Sequence, residues 1–158
     1  MKLSIIVCVS NERKTIKKIL KKINQLRLVS PWKKEIIIVD NCSIDGTREI
    51  LSKIKRNDTR IIFQKINIGK GHSVKTALKF CTGQYVIPQD SDLEYDPSDI
   101  RKILNFALRN KHDFVVGSRA KNGKRFHKYW INEMGANFLT IVFNSLFKTN
   151  FSDVASCY

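Results

Sequence analysis

The fold of this chain turns on Val86-Ile87-Pro88-Gln89-Asp90-Ser91-Asp92-Leu93-Glu94-Tyr95-Asp96-Pro97. The apolar run Tyr85 to Ile87 has the composition of a buried strand, and it leads at once into a cluster of acids. Side chains two apart on extended backbone share a side, so Asp90 and Asp92 can aim both carboxylates at one point, with Glu94 within reach. Oxygen ligands gathered at the C-terminal end of a strand suit a hard divalent ion such as Mg2+ or Mn2+. In an open α/β sheet that edge is also where ligands bind. A second reading starts from Asp96-Pro97-Ser98-Asp99, a good helix start, and makes the acids a capping turn. It accounts for Asp96 and leaves Asp90 and Asp92 without a task.

Upstream of the acids, strand and helix patterns alternate. Leu3 to Val9 is β-branched and apolar on both faces, as a central parallel strand should be. Thr15 to Leu26 carries Ile16, Ile19, Leu20, Ile23 and Leu26 at helical spacing. Glu35 to Asp40 gives a second buried strand, and turn chemistry from Asn41 to Gly46 leads to a helix opening at Thr47 with Ile50, Leu51 and Ile54. Arg60 to Gln64 is a short third strand. The glycine-bracketed loop Asn67-Ile68-Gly69-Lys70-Gly71 precedes a helix with Val74, Ala77, Leu78 and Cys81, closed by Gly83.

Downstream, Ser98 to Leu108 is amphipathic, and Asp113 to Val116 predicts a fifth strand ending at Gly117-Ser118-Arg119. Basic, polar residues from Lys121 to Lys128 form a loop, and Tyr129 to Phe147 a long, mostly apolar helix. The alternation implies one α/β domain, a mostly parallel sheet flanked by helices with right-handed crossovers.

At 158 residues the chain is long enough for one domain with a real core, and 42% hydrophobic with 27% charged residues describes a globular protein. The net charge of +15 predicts attraction to polyanions: nucleic acid, anionic lipid or phosphorylated ligands. Much of it is lysine on helix faces, such as Lys17, Lys18, Lys21 and Lys22, and such runs also serve as solvated faces. Cys8, Cys42, Cys81 and Cys157 have neither metal-like nor redox spacing, which favours a reducing cytoplasm. No stretch has the length and hydropathy of a signal peptide or a membrane span; Phe138 to Phe147 comes nearest and is broken by Asn144. A nucleic-acid module finds support only in the charge, since aromatics are not interleaved on a basic face, and no nucleic acid is expected as a partner.

The first strand ends in Val9-Ser10-Asn11-Glu12, not in a dinucleotide-binding glycine turn, and no P-loop is present. Strand ends instead offer Asn11 and Glu12, then Asp40 and Asp45, then the acids, then Arg119. Acids for a base or ribose, a metal pair and an arginine for phosphate make a nucleotide-diphosphate site. The simpler roles are a turn for Asp45-Gly46, a helix-start charge for Glu12 and a surface ion pair for Arg119.

In this order the residues resemble the family 2 glycosyltransferases of GT-A fold, the Rossmann-like fold of nucleotide-diphospho-sugar transferases. Ser4 to Glu12 resembles that family's opening strand, and Glu35 to Thr47 its Val-Asp-Asp-Gly-Ser-x-Asp-Gly-Thr segment. Asn67 to Gly71 resembles its Asn-x-Gly-Lys-Gly loop, Gln89 to Pro97 its D-x-D motif, and Val116 to Arg119 its Gly-Ser-Arg. The pattern is most similar to the polyprenyl-phosphate (dolichyl-phosphate) mannosyl- and glucosyltransferase-like branch. The resemblance implies a metal-dependent inverting transferase that moves a hexose from GDP-mannose or a UDP-hexose to a polyprenyl phosphate or glycan. It implies Mg2+ or Mn2+ on Asp90 and Asp92 with Glu94 as third ligand, and Glu12 and Asp40 on base and ribose. It also implies donor contacts from Val9, Asn11, Asn41, Asp45, Lys70, Gln89 and Ser91, and catalytic parts for Asp92, Arg119 and the late acid Asp153.

The chain departs from the family at Cys8 and Ser10, where Pro and Tyr are usual, and at Asn41 and Cys42, where a second Asp and a Gly are usual. It ends at Tyr158, where the family continues, so the expectation is a single GT-A domain over 1–158 without the family's C-terminal part, and a non-catalytic donor-binding domain is the alternative. A sugar hydroxyl acceptor needs a general base, whereas a lipid phosphate, with a second pKa of roughly 6, does not. Arg119, Arg125, His127 and Lys128 beside the apolar 129–147 helix suit a phosphorylated lipid, hence a cytoplasmic chain peripheral to an anionic membrane.

Overall fold

The computed structural model describes residues 1–117, 130–154 and 157, with backbone alone at 130–133. The chain forms two compact units, Met1–Asn105 and Phe106–Tyr158. In the first, β1 (Lys2–Val9), β2 (Lys33–Asp40), β3 (Thr59–Phe63) and β4 (Tyr85–Asp90) make one sheet in the order β3-β2-β1-β4. Every pairing is parallel. The two central strands read Ile-Ile-Val and Ile-Ile-Ile-Val because both faces of the sheet are covered there, and Ile5, Val7, Ile38 and Val39 are fully buried.

Connecting helices are α1 (Ile16–Gln25), α2 (Thr47–Ser52) and α3 (Lys70–Leu78), and α4 (Ser98–Asn110) runs from the first unit into the second. The stripe on α1 is as its spacing predicts: Ile16, Ile19, Leu20 and Ile23 are buried while Lys17, Lys18, Lys21 and Lys22 face solvent. Those lysines are therefore a solvated face. On α3 the apolar pattern is weaker; Ala77 joins a core cluster with Ile6, Ile37 and Val39, Val74 packs at its margin, and Leu78 is exposed.

At the N-terminal edge of the sheet, one carboxylate ties three segments together. Glu35 accepts from Ser4 Oγ at 2.6 Å, from the Thr82 N–H at 2.6 Å, from Thr82 Oγ1 at 2.8 Å and from Lys2 Nζ at 3.3 Å. Gly83 follows Thr82 because nothing larger fits: a Cβ there would stand 2.7 Å from the Ser4 nitrogen and 2.8 Å from the Lys2 carbonyl oxygen. β4 thus enters the sheet hard against β1.

The second unit holds α5 (Trp130–Phe147) and a tail that folds back along it. Asn144, which interrupts the apolar run, receives the tail: its Oδ1 accepts from the Phe151 N–H and Thr149 Oγ1, each at 2.9 Å, and its Nδ2 donates to the Phe151 carbonyl at 2.8 Å. Phe143 packs against Phe147 and Phe151. Met134, Phe138, Leu139, Ile141 and Leu146 remain exposed. Among the described residues no helix is long and apolar enough to cross a membrane.

The fifth strand expected at Asp113 to Val116 is not formed; these residues pair with no strand among the described residues, and Phe114 is 75% exposed. A short apolar run becomes a strand only where a neighbour completes its hydrogen bonds, which periodicity alone does not reveal. The basic loop Lys121 to Lys128 lies outside the described residues.

Burial acts to raise the Glu35 pKa, but its hydrogen bonds from Ser4, Thr82 and Lys2 outweigh that and lower it from 4.5 to about 2. A depressed carboxyl pKa contributes stability that is present above 4.5 and lost as pH falls toward 2. Urea unfolding of Glu35→Gln should show a deficit on the order of 2 kcal/mol at pH 7 that closes across this interval.

Candidate functional site

The parallel register brings the C-terminal ends of β1, β2 and β4 to one edge: Val9 lies opposite Asp40, and Cys8 opposite Asp90. There an open crevice of about 210 Å3 is lined by Cys8, Val9, Ser10, Glu12, Asn41, Lys70, Asp90, Ser91 and Asp92. Its walls are loops laced by side chain to backbone. Ser43 Oγ accepts from the Asn11 N–H and Asn11 Oδ1 from the Ile44 N–H, each at 2.9 Å; Thr47 Oγ1 accepts from the Glu12 N–H at 3.0 Å. Asn41 donates to Asn67 Oδ1 at 2.6 Å and accepts from the Ile68 N–H at 3.2 Å, and Ser91 Oγ donates to the Cys8 carbonyl at 3.0 Å. An aspartate at position 41 could not make the donor half of that link.

Asp90 closes β4 and is ion-paired with Lys70, the first residue of α3. Asp92 lies two residues on, in a bend rather than on extended backbone, and its Oδ1 accepts from the Glu94 N–H at 3.0 Å. Glu94 is exposed and lies outside the crevice lining, and among the described residues no three His, Cys, Asp or Glu side chains converge as a metal site. The turn at Leu93, with φ 72°, carries the chain away from the extended path that two-residue spacing assumes. What remains is two carboxylates on one crevice wall, one of them holding a cation. That donor set fits Mg2+ or Mn2+, which are bound through one or two carboxylates completed by phosphate oxygens and water.

The remaining predicted residues divide clearly. Val9, Glu12, Asn41, Lys70, Ser91, Asp90 and Asp92 come together in the crevice. Glu12 is also the acceptor of the Thr15 hydroxyl at the start of α1. Asn11 and Asp45 serve the turns: Asp45 accepts from the Arg13 N–H at 3.0 Å, and from the Thr47 N–H at 3.0 Å and hydroxyl at 2.6 Å. Burial opposes but does not reverse the effect of these bonds, which hold its carboxyl below the usual range. Gln89 is buried, and its amide donates to the Asp90 and Tyr95 carbonyls, shaping the bend that carries the acids. Asp153 is buried in the second unit, and Arg119 lies outside the described residues.

Asp40 differs most from its expected role. Its carboxylate is fully buried; Oδ2 pairs with Arg48 Nε at 2.9 Å and accepts from the Ser43 N–H at 3.2 Å. Oδ1 is buried with no hydrogen-bond partner among the described residues. Arg48 also donates to the Gln64 carbonyl at 2.9 Å and lies over the Phe63 ring at 5.1 Å, so one guanidinium joins α2 to the ends of β2 and β3. Arg48, Ser10 and Cys8 are the contributors that sequence reasoning passed over as site residues. Position at the end of β1 was the signal for the last two; for Arg48, the second residue of α2, there was none. Burial pushes the Cys8 thiol up to about 11, with Lys70 acting against it and Asp90 with it, so the thiol stays protonated at neutral pH. Cys42, where a glycine is usual, adopts a left-handed φ of 60°, which explains the preference for glycine there.

Residues 4–157 match the family profile described as glycosyl transferase family 2. A dolichol-phosphate mannosyltransferase of Mycosarcoma maydis is 34% identical over 98 residues, 61% of this chain and 33% of that protein. A dodecaprenyl-phosphate galacturonate synthase of Rhizobium johnstonii is 27% identical over 127 residues, 78% of this chain and 37% of that one. Among solved structures, S. aureus TarS 1-349 in complex with UDP-GlcNAc superposes with a TM-score of 0.60 at 28% identity, covering 70% of this chain and 32% of TarS. The fold is that of the GT-A glycosyltransferases, and the chain spans about a third of the length of these curated relatives.

Removing Arg48 would leave the Asp40 charge buried without its partner. Arg48→Ala should cost about 3 kcal/mol in urea unfolding, and Asp40→Asn should be markedly less harmful in the Arg48→Ala background than alone.

Proposed function

Because the chain belongs to glycosyl transferase family 2, we propose that it moves a hexose from a nucleotide-sugar, GDP-mannose or a UDP-hexose, to a polyprenyl phosphate or a glycan, with inversion at the anomeric carbon. The observation that carries this reading is the crevice at the C-terminal strand edge, where Asp90, Asp92 and Lys70 stand together with Glu12 and Asn41. Neither a base-binding pocket nor a diphosphate site alone needs that mixture. A nucleotide-sugar needs both.

In this reading Glu12 and Asn41 accept from and donate to the nucleoside, while Asp90 and Asp92 hold Mg2+ or Mn2+. When bound, the cation neutralises charge on the departing nucleoside diphosphate as a Lewis acid. Lys70 and, by the sequence resemblance, Arg119 face phosphate. The buried Asp40 acts at one remove, fixing through Arg48 the strand ends that carry Asn41. By the sequence resemblance, Asp153 would be the base for a sugar-hydroxyl acceptor; a phosphate acceptor needs none. The dolichol-phosphate mannosyltransferase and dodecaprenyl-phosphate galacturonate synthase relatives support a polyprenyl phosphate, and so do the exposed apolar side chains of α5. These would rest on a membrane surface, with Lys and Arg drawn to anionic lipid.

Calorimetric titration with GDP-mannose and UDP-glucose, with and without Mn2+, tests the donor site. One donor should bind at least tenfold tighter with the ion, and Asp92→Ala should abolish that gain; no binding of either under any condition refutes the reading. Flotation with phosphatidylserine vesicles tests the surface. Binding should fall as salt rises and weaken in Phe138→Ser/Leu139→Ser.

A further inference from the structure

We propose that Lys70 is an exchangeable counter-cation. It neutralises Asp90 until a divalent ion and a diphosphate arrive together, then gives up the carboxylate and pairs with the diphosphate. The proposal rests on reading the crevice as a nucleotide-sugar site.

Three observations lead to it. Lys70 is ion-paired with Asp90, one of the two carboxylates a metal would use, and both line the crevice with Asp92. The two partners differ in freedom: Asp90 is fixed by the β1–β4 register and its side chain is 20% exposed, whereas that of Lys70 is 54% exposed on a flexible stem. Finally, helix stability does not explain a lysine here. Lys70 is the first residue of α3, where the macrodipole disfavours a cation, and the first turn carries no acid to offset it. A cation at that end has work to do on anions.

The consequence is a coupling. A divalent ion binding alone must displace the ammonium from Asp90 and then coexist with it in the same crevice. A diphosphate removes that conflict by offering the ammonium a new anion. Metal and nucleotide therefore tighten each other's binding, by the same factor in each direction. The crevice takes up the metal with its nucleotide rather than ahead of it.

The test is calorimetric titration of MnCl2 into the wild-type chain, Lys70→Met and Lys70→Arg, alone and with saturating UDP or GDP, circular dichroism checking that each variant is folded. Mn2+ alone should bind Lys70→Met roughly three- to ten-fold tighter than wild type, from the freed carboxylate and the lost repulsion. The added tightening by diphosphate should be smaller in Lys70→Met than in wild type, the share that phosphate coordination of the ion supplies remaining, and be kept in Lys70→Arg. Equal affinity of Lys70→Met and wild type for Mn2+ alone, or an undiminished diphosphate effect in Lys70→Met, overturns the proposal while leaving the site reading standing. Failure of every chain to bind Mn2+ with either diphosphate overturns both.

Discussion

Everything at the crevice depends on β1 having a parallel partner on each side. Parallel pairing fixes direction as well as register, so Val9, Asp40 and Asp90 must all finish at the same edge. Had β4 run antiparallel, the acids would stand at the other end of the sheet, beside Glu35. The apolar central strands thus do more than fill a core. Their burial sets a platform of fixed height, from which short polar loops project the chemistry.

Those loops are held by polar bonds rather than by packing. Ser43, Thr47, Asn11 and Asn41 each bind the backbone of a neighbouring loop, and Ser91 binds that of β1. The chain meets this geometry at a local cost, since Asn11, Cys42 and Leu93 all adopt positive φ just beyond a strand end. Charge is arranged in the same economical way. Arg48 answers Asp40 inside the sheet edge and Lys70 answers Asp90 at its surface, so each strand-end acid has a cation of its own.

How legible this was in the sequence depended on the range of the interactions involved. The strands β1 and β2 and the stripe of α1 were readable because burial imposes a local pattern, and the place of Asp90 and Asp92 at the crevice because the C-terminal strand edge of an open parallel sheet is where clefts form. The fate of the acids beyond them was not. Nothing in Glu35 to Gly46 says that the Asp40 carboxylate is buried against Arg48, or that Asp45, for which a turn was the simpler role, also takes the Arg13 N–H with its second oxygen. Those facts follow from loops meeting in space. The failed strand at Asp113 to Val116 has the same cause, a pattern without a partner. Extended-chain geometry also misjudged Glu94, because the turn at Leu93 intervenes. The departures from the family at Cys8 and Asn41 were visible at once, but only the structure shows Asn41 using its amide as both donor and acceptor.

The strand order also determines the sequence of assembly. β1, β2 and β3 are complete by Phe63, and they pair over short separations, whereas β4 must return across some eighty residues to lie against Leu3 to Cys8. On the ribosome the most apolar strand of the chain therefore waits as an open edge, its backbone groups unmatched on one side. Such edges recruit other chains, and every unfinished copy shares this one. The piece that closes it is the piece that brings Asp90. Protection from aggregation and completion of the site are consequently a single late event, and a mutation that slows β4 docking would be met first as insolubility, before any loss of activity could be measured.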